Sequence, residues 1–503
     1  MTTNSNKYDI AIIGSGLGGL ACGHILSSEG YRVLILEREA QPGGCLQSYR
    51  RDGLDFDTGF HYIGGLGKGE ALYQPFRMLG LTDLPWIRLD DDCFDRVHIA
   101  GQHFDFAQGY QRFAQKMAEH FPGEREGLQA LVGLFQHNSL HQLDALNPAL
   151  STASLIQSPH CAMDLSTPAW QWLHDHFHNE LLINVLSGNT TRYELRKDTL
   201  PLYTMAHINS SYIASSWRLR GNGNMIVKAL TDAIRAKGGG IRCNAEVREL
   251  VEQGGKIVKA VCANGNCYEA TTFISDIHPA LTYQLIGESI HVKKSMRMRV
   301  SLLENTYGML TASLVIKPHA LPYVNHNEYV YARPNLWEHY EQDHPVSGVM
   351  ASYRVPEDGS QYVRQIDLLT PVDWPECSPW AGTKAGHRGQ DYEQWKQLKA
   401  DECISLAETA IPGLRSAVER QYVTSPLTYR DYTHTPNGSA FGLRKDCGNP
   451  LLTFLSPRCR IPNLLLTGQS LMVHGIEGVT MTALMTCAEL IGRGRMWDKL
   501  MNA

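Results

Sequence analysis

The sequence has 12 cysteines, but no two of them are spaced as Cys-x-x-Cys. Its opening residues, MTTNSNKYDIAIIG, contain no basic region followed by an apolar stretch and a small-residue cleavage site, which a secretion signal requires. Scattered cysteines without such a signal indicate reduced thiols rather than a disulfide framework or a zinc site. We therefore expect a cytoplasmic protein.

Two further absences narrow the class of protein. The net charge is -5 and the pI is about 6.5, which is not the signature of a polycation, so nucleic acid is not expected as the main partner. No run of about 18 apolar residues occurs, so no segment is predicted to cross a membrane. With 503 residues, 43% of them hydrophobic, the chain is long enough for about two to four globular domains.

A glycine-rich turn follows the first apolar run. Residues 8–13 (YDIAII) predict a buried strand, residues 20–29 a helix, and residues 32–36 a second strand that ends at an acid. This order of strand, glycines, helix, strand and acid predicts a βαβ unit that binds a dinucleotide. The residues expected to contact the cofactor here are Gly14, Ser15, Gly16, Gly18, Gly19, Glu37 and Arg38.

Each part of this motif has a physical reason. Gly14 permits the tight turn, Gly16 lets the backbone approach a pyrophosphate, and Gly19 lets the helix pack on the strand. The helix N-terminus offers free N–H groups and positive dipole charge to the phosphates. Glu37 can accept from both ribose hydroxyls and would repel a 2′-phosphate, so NADP fits poorly. The alternative is a glycine-rich turn in a plain α/β domain.

The following loop favours FAD over NAD. A simple nicotinamide domain would continue into another short helix and strand, whereas here Gly43 and Gly44 follow the ribose acid closely. A second pair of glycines at this point suggests a bulky group lying across the backbone. Further along, a helix over 225–237 precedes a strand over 241–250, in which Val247 is placed to meet the adenine.

The far end of the chain repeats the pattern of strand, glycine turn and helix. Residues 464–467 predict a buried strand that opens at Gly468, and residues 479–491 predict a long helix. A discontinuous domain would bring the N-terminus of this helix, near Gly478 and Val479, to the negative charge that develops on a reduced flavin. The alternative is an ordinary core helix.

Four further motifs carry a family resemblance: FDTGFHYIG (56–64), SPLT (425–428), TPNGSAFG (435–442) and NLLLTGQ (463–469). Together with the glycine motifs they resemble the FAD-dependent retinol saturase, carotenoid isomerase and phytoene desaturase family, and the retinol saturases above all. In that family the first glycine motif and its acid hold the ADP half of FAD. Two positions depart from the pattern: Ser470 stands where saturases usually carry an acid, and His474 where a small or thiol residue is common.

The resemblance implies an α/β fold with the two-domain architecture of amine oxidases. A discontinuous Rossmann-type FAD-binding domain would comprise residues 1–105, 220–290 and 441–503. An α+β substrate-binding domain would comprise residues 106–219 and 291–440, with helices over 104–146 and 169–186 and a strand over 312–316.

The resemblance also implies an FAD-dependent oxidoreductase acting on CH–CH groups. The leading hypothesis is saturation of a C=C bond in a hydrophobic polyene or isoprenoid such as a retinoid or carotenoid. The alternatives are a desaturase or a redox-neutral cis–trans isomerase on the same scaffold, a non-catalytic flavin-binding protein, and an amine oxidase. No second glycine motif could hold NAD(P)H, so the external electron partner stays open between NAD(P)H, a quinone and another reductant.

Saturation needs hydride on one carbon and a proton on the other, so a Tyr or His beside the flavin would serve. The candidates are His61, Tyr62, Tyr212 and His474, each of which has a structural role as its alternative. No metal site is expected, because the alternating histidines at 174, 176 and 178 do not share one helix face. Residues 490–500 are basic and aromatic, which suits either an ordinary C-terminal helix or a peripheral membrane contact.

Overall fold

The computed structural model describes residues 7–150, 164–341 and 345–503. Two seven-stranded sheets organise these residues, and two small sheets join them. The hairpin of Ser48–Arg51 and Leu54–Asp57 forms one of the small sheets. The other contains Ile63–Gly64, Ser216–Leu219 and Trp86–Arg88.

The first large sheet is the predicted dinucleotide-binding sheet. Its parallel centre pairs Lys7–Ile13 with Val33–Leu36 on one side and with Cys267–Ser275 on the other. Leu464–Leu466 pairs in parallel with Cys267–Ser275, so the far end of the chain returns to the centre of this sheet. The remaining strands are Gly240–Arg242, Val247–Gln253 and Lys256–Cys262. The expected single strand over 241–250 is therefore two strands, separated by a left-handed residue at Asn244.

Three helices cover one face of this sheet in a common apolar core. Helix Leu17–Ser28 is buried on almost every side, because it packs against both Asn224–Ala236 and Gly475–Ile491. A helix that is apolar all round suits this central position. The discontinuous domain expected from the two ends of the chain is therefore present.

The second large sheet is largely antiparallel. Its strands, in spatial order, are Val418–Thr424, Gly308–Ile316, Gln365–Val372, Gly348–Tyr353, Asn327–Tyr331, Asp95–Ile99 and Gln102–Phe106. The boundary expected at residue 105 is corrected by this order, because residues 95–106 form the edge hairpin of the second sheet. Buried and half-buried side chains alternate along Asp95–Ile99, as they do in a strand with one face on a core. The sequence analysis did not predict this strand.

Helices pack on both faces of the second sheet. The segment over 104–146 begins as a strand and becomes helical only at residue 110, where Gly109 with φ +86 starts the helix. The other described α-helices are Tyr73–Met78, Tyr110–His120, Arg125–His141, Ala169–His176, Glu180–Leu186, Leu202–Ala214, Pro279–Leu285, Lys294–Ser301, Trp374–Cys377, Gln390–Glu408, Leu414–Ala417, Pro426–Thr433, Pro450–Thr453 and Arg493–Met501.

Two arginines of the second domain hold the hairpin at residues 48–57. Arg354 pairs with Asp57 across 2.9 Å, and both side chains are largely buried. Arg420 pairs with Asp52 across 2.8 Å, but both of these side chains are about half exposed. The buried pair therefore contributes more to the contact between the domains, since exposed pairs are weakened by water and salt.

The last helix, Arg493–Met501, uses its apolar side internally. Met496 and Leu500 are fully buried in the first core, and Arg495 and Lys499 both pair with Glu29. A membrane contact of this segment stays a prediction. No helix in the described ranges combines the length and the apolar character that crossing a membrane demands.

Candidate active site

A cavity of about 750 Å³ runs from the carboxyl edge of the first sheet toward the second sheet. Ligands of open α/β sheets bind at this edge. One end of the cavity is lined by the glycine turn, and the other by side chains of the second domain.

The glycine turn has the geometry that its sequence predicted. Gly14 has φ +93, which other residues rarely adopt. A side chain at Gly19 would overlap the carbonyl oxygen of Gly14, so this position requires glycine. Gly16 stands at the start of helix Leu17–Ser28 and has no side chain to cap it, so the first N–H groups of the helix face the cavity.

The acid at the end of the second strand is held in place. Glu37 is buried, and its Oε2 accepts from the Ser15 N–H across 3.1 Å and from the Ser15 hydroxyl. Its Oε1 accepts from the Glu39 N–H across 2.8 Å. Arg38 lies on the cavity wall and donates to the Asp431 carbonyl across 2.8 Å.

The second pair of glycines packs on the first turn. Gly43 has φ +126 and donates its N–H to the Ser15 carbonyl across 3.0 Å. A Cβ on Gly44 would lie 3.1 Å from the Cα of Gly16, so the two loops approach backbone to backbone. Val247, the residue expected near the adenine, is buried at the start of Val247–Gln253 and also lines the cavity.

The C-terminal motif reaches the same cavity, with one correction. The last long helix begins at Gly475, not at Val479, and His474 is the residue before it. Gly478 therefore lies within the first turn, where a side chain would overlap the Val473 carbonyl. Gly468, Gly478 and Val479 all line the cavity, as the motif predicts, and the helix N-terminus points into it.

Sequence reasoning missed Asp276, which follows strand Cys267–Ser275. A Cβ on Gly16 would lie 2.7 Å from its Oδ2, and a Cβ on Gly468 would lie 2.8 Å from its Oδ1. Burial raises the pKa of Asp276 to about 7, and the N–H groups of Gly19 and Gly16 offset part of this increase. A carboxyl group directly after a buried parallel strand was the signal that could have located it.

The four candidate proton donors all line the cavity. Tyr62 is the most constrained of them, because its hydroxyl contacts Tyr329 across 2.8 Å and accepts from Arg192 Nε across 2.8 Å. The ring of Tyr212 lies 4.8 Å from that of Tyr62 and 4.1 Å from the Arg192 guanidinium carbon. Burial raises the pKa of Tyr62 well above its usual value and that of Tyr212 to about 12.

The two histidines are equally enclosed. His61 lies 3.8 Å from Asp367, and burial lowers its pKa in spite of that charge. His474 donates from Nε2 to the Arg192 carbonyl across 2.6 Å and stacks on Phe441 with ring centroids 4.1 Å apart. Burial lowers the pKa of His474 to about 4, so it is neutral at pH 7.

The cavity combines a part suited to a dinucleotide at one end with an apolar chamber at the other. Free helix N–H groups, close backbone approaches and a fixed acid suit an ADP moiety. Beyond them, the second domain contributes large apolar and aromatic side chains and few charges. These side chains are Ile208, Met309, Met350, Leu369 and Tyr429.

The comparisons with known proteins agree with this geometry. The model of the NAD(P)-binding Rossmann-like domain matches residues 12–79. The chain is 25% identical to all-trans-retinol 13,14-reductase of Homo sapiens, over 99% of this chain and 87% of that protein. It is also 24% identical to the chloroplastic prolycopene isomerase of Daucus carota, over 97% of this chain and 80% of that protein. This chain is a homologue of both. The resemblance read from the motifs is thereby confirmed.

Solved structures confirm the fold class. Putrescine oxidase bound to putrescine matches with a TM-score of 0.64 and 13% identity, over 96% of this chain and 99% of that one. An oxidoreductase from Methanosarcina mazei matches with a TM-score of 0.62 and 16% identity, over 95% of this chain and 99% of that one. The architecture is therefore the two-domain fold of the amine oxidases.

Proposed function

We propose that this chain is an FAD-dependent enzyme that saturates a C=C bond of a hydrophobic polyene, such as a retinoid or a carotenoid. The observation that carries the proposal is one cavity whose first part suits a dinucleotide and whose second part is apolar and aromatic. Homology to a retinol reductase supports the reaction class. An apolar chamber excludes water and matches a substrate that has few polar groups.

FAD fits the residues present. Glu37 is fixed by three donors and faces the cavity, where it would hold the adenosine ribose. The glycine turn and the helix behind it would hold the pyrophosphate, and Gly43 and Gly44 would border it. The N-terminus of Gly475–Ile491 would lie beside the flavin ring. When bound, the flavin supplies the hydride chemistry, and the chain supplies binding, orientation and exclusion of water.

An absorption spectrum with an anaerobic titration tests this proposal. Purified protein should show oxidised flavin bands near about 370 and 450 nm, or acquire them when FAD is added. After reduction with dithionite under nitrogen, all-trans-retinol should reoxidise the flavin and yield a product that is heavier by two hydrogens. A colourless protein that does not take up FAD would contradict the cofactor, and flavin that retinol and carotenoids leave reduced would contradict saturation.

The second candidate function is redox-neutral isomerisation of a polyene, which the homology to a prolycopene isomerase favours. The same experiment separates the two reactions. Saturation consumes reduced flavin in a one-to-one ratio with product, whereas isomerisation leaves the flavin reduced while the polyene changes geometry. Adding NADH, NADPH or a reduced quinone to the oxidised protein identifies the external electron partner by the rate at which the flavin bands bleach.

A further inference from the structure

Saturation of a C=C bond requires a proton source, and the four expected donors suit that role poorly. Proton transfer is efficient when the pKa of the donor lies near the working pH. The pKa of Tyr212 is raised to about 12 and that of His474 is lowered to about 4, in both cases by burial. In addition, the Nε2 proton of His474 is committed to the Arg192 carbonyl. The need for a proton donor rests on the proposed function.

A fifth group lies on the same cavity wall. Glu477 is in the first turn of helix Gly475–Ile491 and is buried. Its Oε1 has no hydrogen-bond partner among the described residues and lies 3.7 Å from His207 Nε2. Both ring nitrogens of His207 also have no hydrogen-bond partner in the part of the chain that the structure describes. A buried acid and a buried imidazole thus face each other in the cavity wall with unused hydrogen-bonding capacity.

The surroundings of Glu477 favour the neutral acid. Burial raises the pKa of Glu477 to about 7, the Ser211 hydroxyl and the Gln142 side chain offset part of this increase, and the negative charge of Glu70 adds to it. Burial lowers the pKa of His207 to about 4, and His474 lowers it further. The other titratable groups near Glu477 are Tyr110 and Tyr212, whose pKa values its charge raises.

The position of Glu477 also suits its conjugate base. A carboxylate in the first turn of a helix is stabilised by the helix dipole. The first turn of helix Gly475–Ile491 therefore favours the charge that appears on Glu477 once the proton has left. His207, which is neutral at pH 7 because burial lowers its pKa to about 4, stands next to the acid. Its N–H can pass a proton to the carboxylate while the other ring nitrogen takes one up, so no imidazolium has to form. His207 lies on helix Leu202–Ala214, which also carries Ser211 and Tyr212, two further residues of the cavity wall.

We propose that Glu477 is the acid that protonates the substrate carbon opposite the one that receives hydride, with His207 as the group that reprotonates it. In this step the C=C π bond is lost and two C–H bonds form. One uses the hydride and its electron pair, which come from reduced flavin. The other uses the proton released when the Glu477 O–H bond breaks. A proton taken up from solvent through His207 restores the acid, and a two-electron reductant restores the flavin.

Single-turnover kinetics of Glu477→Gln test this assignment. Three proteins are compared: wild type, Glu477→Gln and the control Glu489→Gln. Glu489 lies on the same helix but pairs with the exposed Arg458. Each protein is loaded with FAD, reduced with dithionite and mixed with all-trans-retinol. Binding of FAD and its reduction should be equal in all three, which shows that the variants fold. Reoxidation by retinol should be about 100-fold slower in Glu477→Gln and unchanged in Glu489→Gln.

The pH profile and the solvent isotope effect separate acid catalysis from a structural role. Wild-type reoxidation should be constant below pH 7, fall about tenfold per pH unit above it, and slow in heavy water. Both dependences should vanish in Glu477→Gln, and His207→Ala should slow only the second turnover. An infrared band of a protonated carboxyl group, present in wild type at pH 6 and absent from Glu477→Gln, provides a readout that needs no substrate.

The outcomes distinguish the two proposals. If wild type reacts with the polyene and Glu477→Gln reacts equally fast, the role of Glu477 is refuted and the proposed function stands. If the infrared band is missing at pH 6, the role of Glu477 is refuted whatever the substrate. If reduced wild type transfers nothing to any polyene, the proposed function is refuted and this role is refuted with it.

Discussion

Replacing Asp276 by asparagine should stabilise the cofactor-free protein at neutral pH. The side chain is buried against the glycine turn, and burial raises its pKa from 3.8 to about 7. Because the folded protein holds this proton more tightly than the unfolded chain does, stability is highest below pH 3.8 and declines as the pH rises to about 7. Asparagine has almost the same shape and carries no charge at any pH.

The expected magnitude follows from the two pKa values. Each tenfold change in an acid dissociation constant corresponds to about 1.4 kcal/mol, so the charged carboxylate costs about 4 kcal/mol above pH 7. At pH 5 the same calculation gives only about 1.5 kcal/mol. The amide lacks one acceptor for the backbone N–H groups of the turn, which subtracts about 1 kcal/mol at both values of pH. The gain in free energy of unfolding should therefore be about 2–3 kcal/mol larger at pH 8 than at pH 5.

Urea denaturation of the cofactor-free protein at pH 5 and pH 8 measures this difference. Asp83→Asn, at an exposed position, serves as the matched control. Removing the charge beside the glycine turn should also tighten FAD binding more at pH 8 than at pH 5, as measured by quenching of flavin fluorescence. An Asp276→Asn effect of equal size at both values of pH would refute the reasoning, because it would mean that the carboxyl group does not titrate in this range.

Three further substitutions test other parts of the structure. Gly18→Ala should abolish FAD uptake, because the new methyl group overlaps the Asp276 carboxylate. Its control is Gly133→Ala, whose methyl group meets nothing within 4 Å and which should leave the flavin spectrum unchanged and the stability unchanged or slightly improved. Arg354→Met should lower the free energy of unfolding by about 3–5 kcal/mol, because it leaves the buried Asp57 without its ion-pair partner. Arg420→Met, at a half-exposed pair, should lower it by less than about 1 kcal/mol. Equal losses would contradict the conclusion that the buried pair contributes more to the contact between the domains. His474→Ala should slow reoxidation by retinol about tenfold with FAD still bound, because the cavity wall that it braces shifts, and turnover at the wild-type rate would rule out a role for this side chain.

The first sheet and its glycine turns were predictable because local chemistry determines them. Gly14, Gly19 and Gly43 each occupy a position where a side chain would be strained or would overlap a neighbouring atom, and such positions leave a mark in the sequence. The return of residues 464–491 to this sheet followed from a repeated pattern of strand, turn and helix. The roles of the cofactor-contacting residues stay predictions, although the structure brings all of them except Gly19 to the lining of one cavity.

The second domain was less predictable because its contacts are distant in sequence. The hairpin at residues 95–106 joins a sheet whose other strands lie more than 200 residues later, and nothing in the hairpin itself indicates that partner. Glu477 and His207 meet for the same reason, across 270 residues. The sequence did offer one indication of Glu477, since it is an acid between Gly475 and Gly478 in an apolar stretch. Charged residues are rarely buried in such a stretch without a function or a partner.

The pairing of Leu464–Leu466 with Cys267–Ser275 has a consequence for biosynthesis. The amino-terminal strand and helix leave the ribosome first, yet the core that covers them is complete only when residues 475–491 have been made. At about 5–20 residues per second, this leaves an unfinished apolar face exposed for tens of seconds. We expect the nascent chain to need a chaperone, and neither domain to be obtainable as a separately expressed fragment.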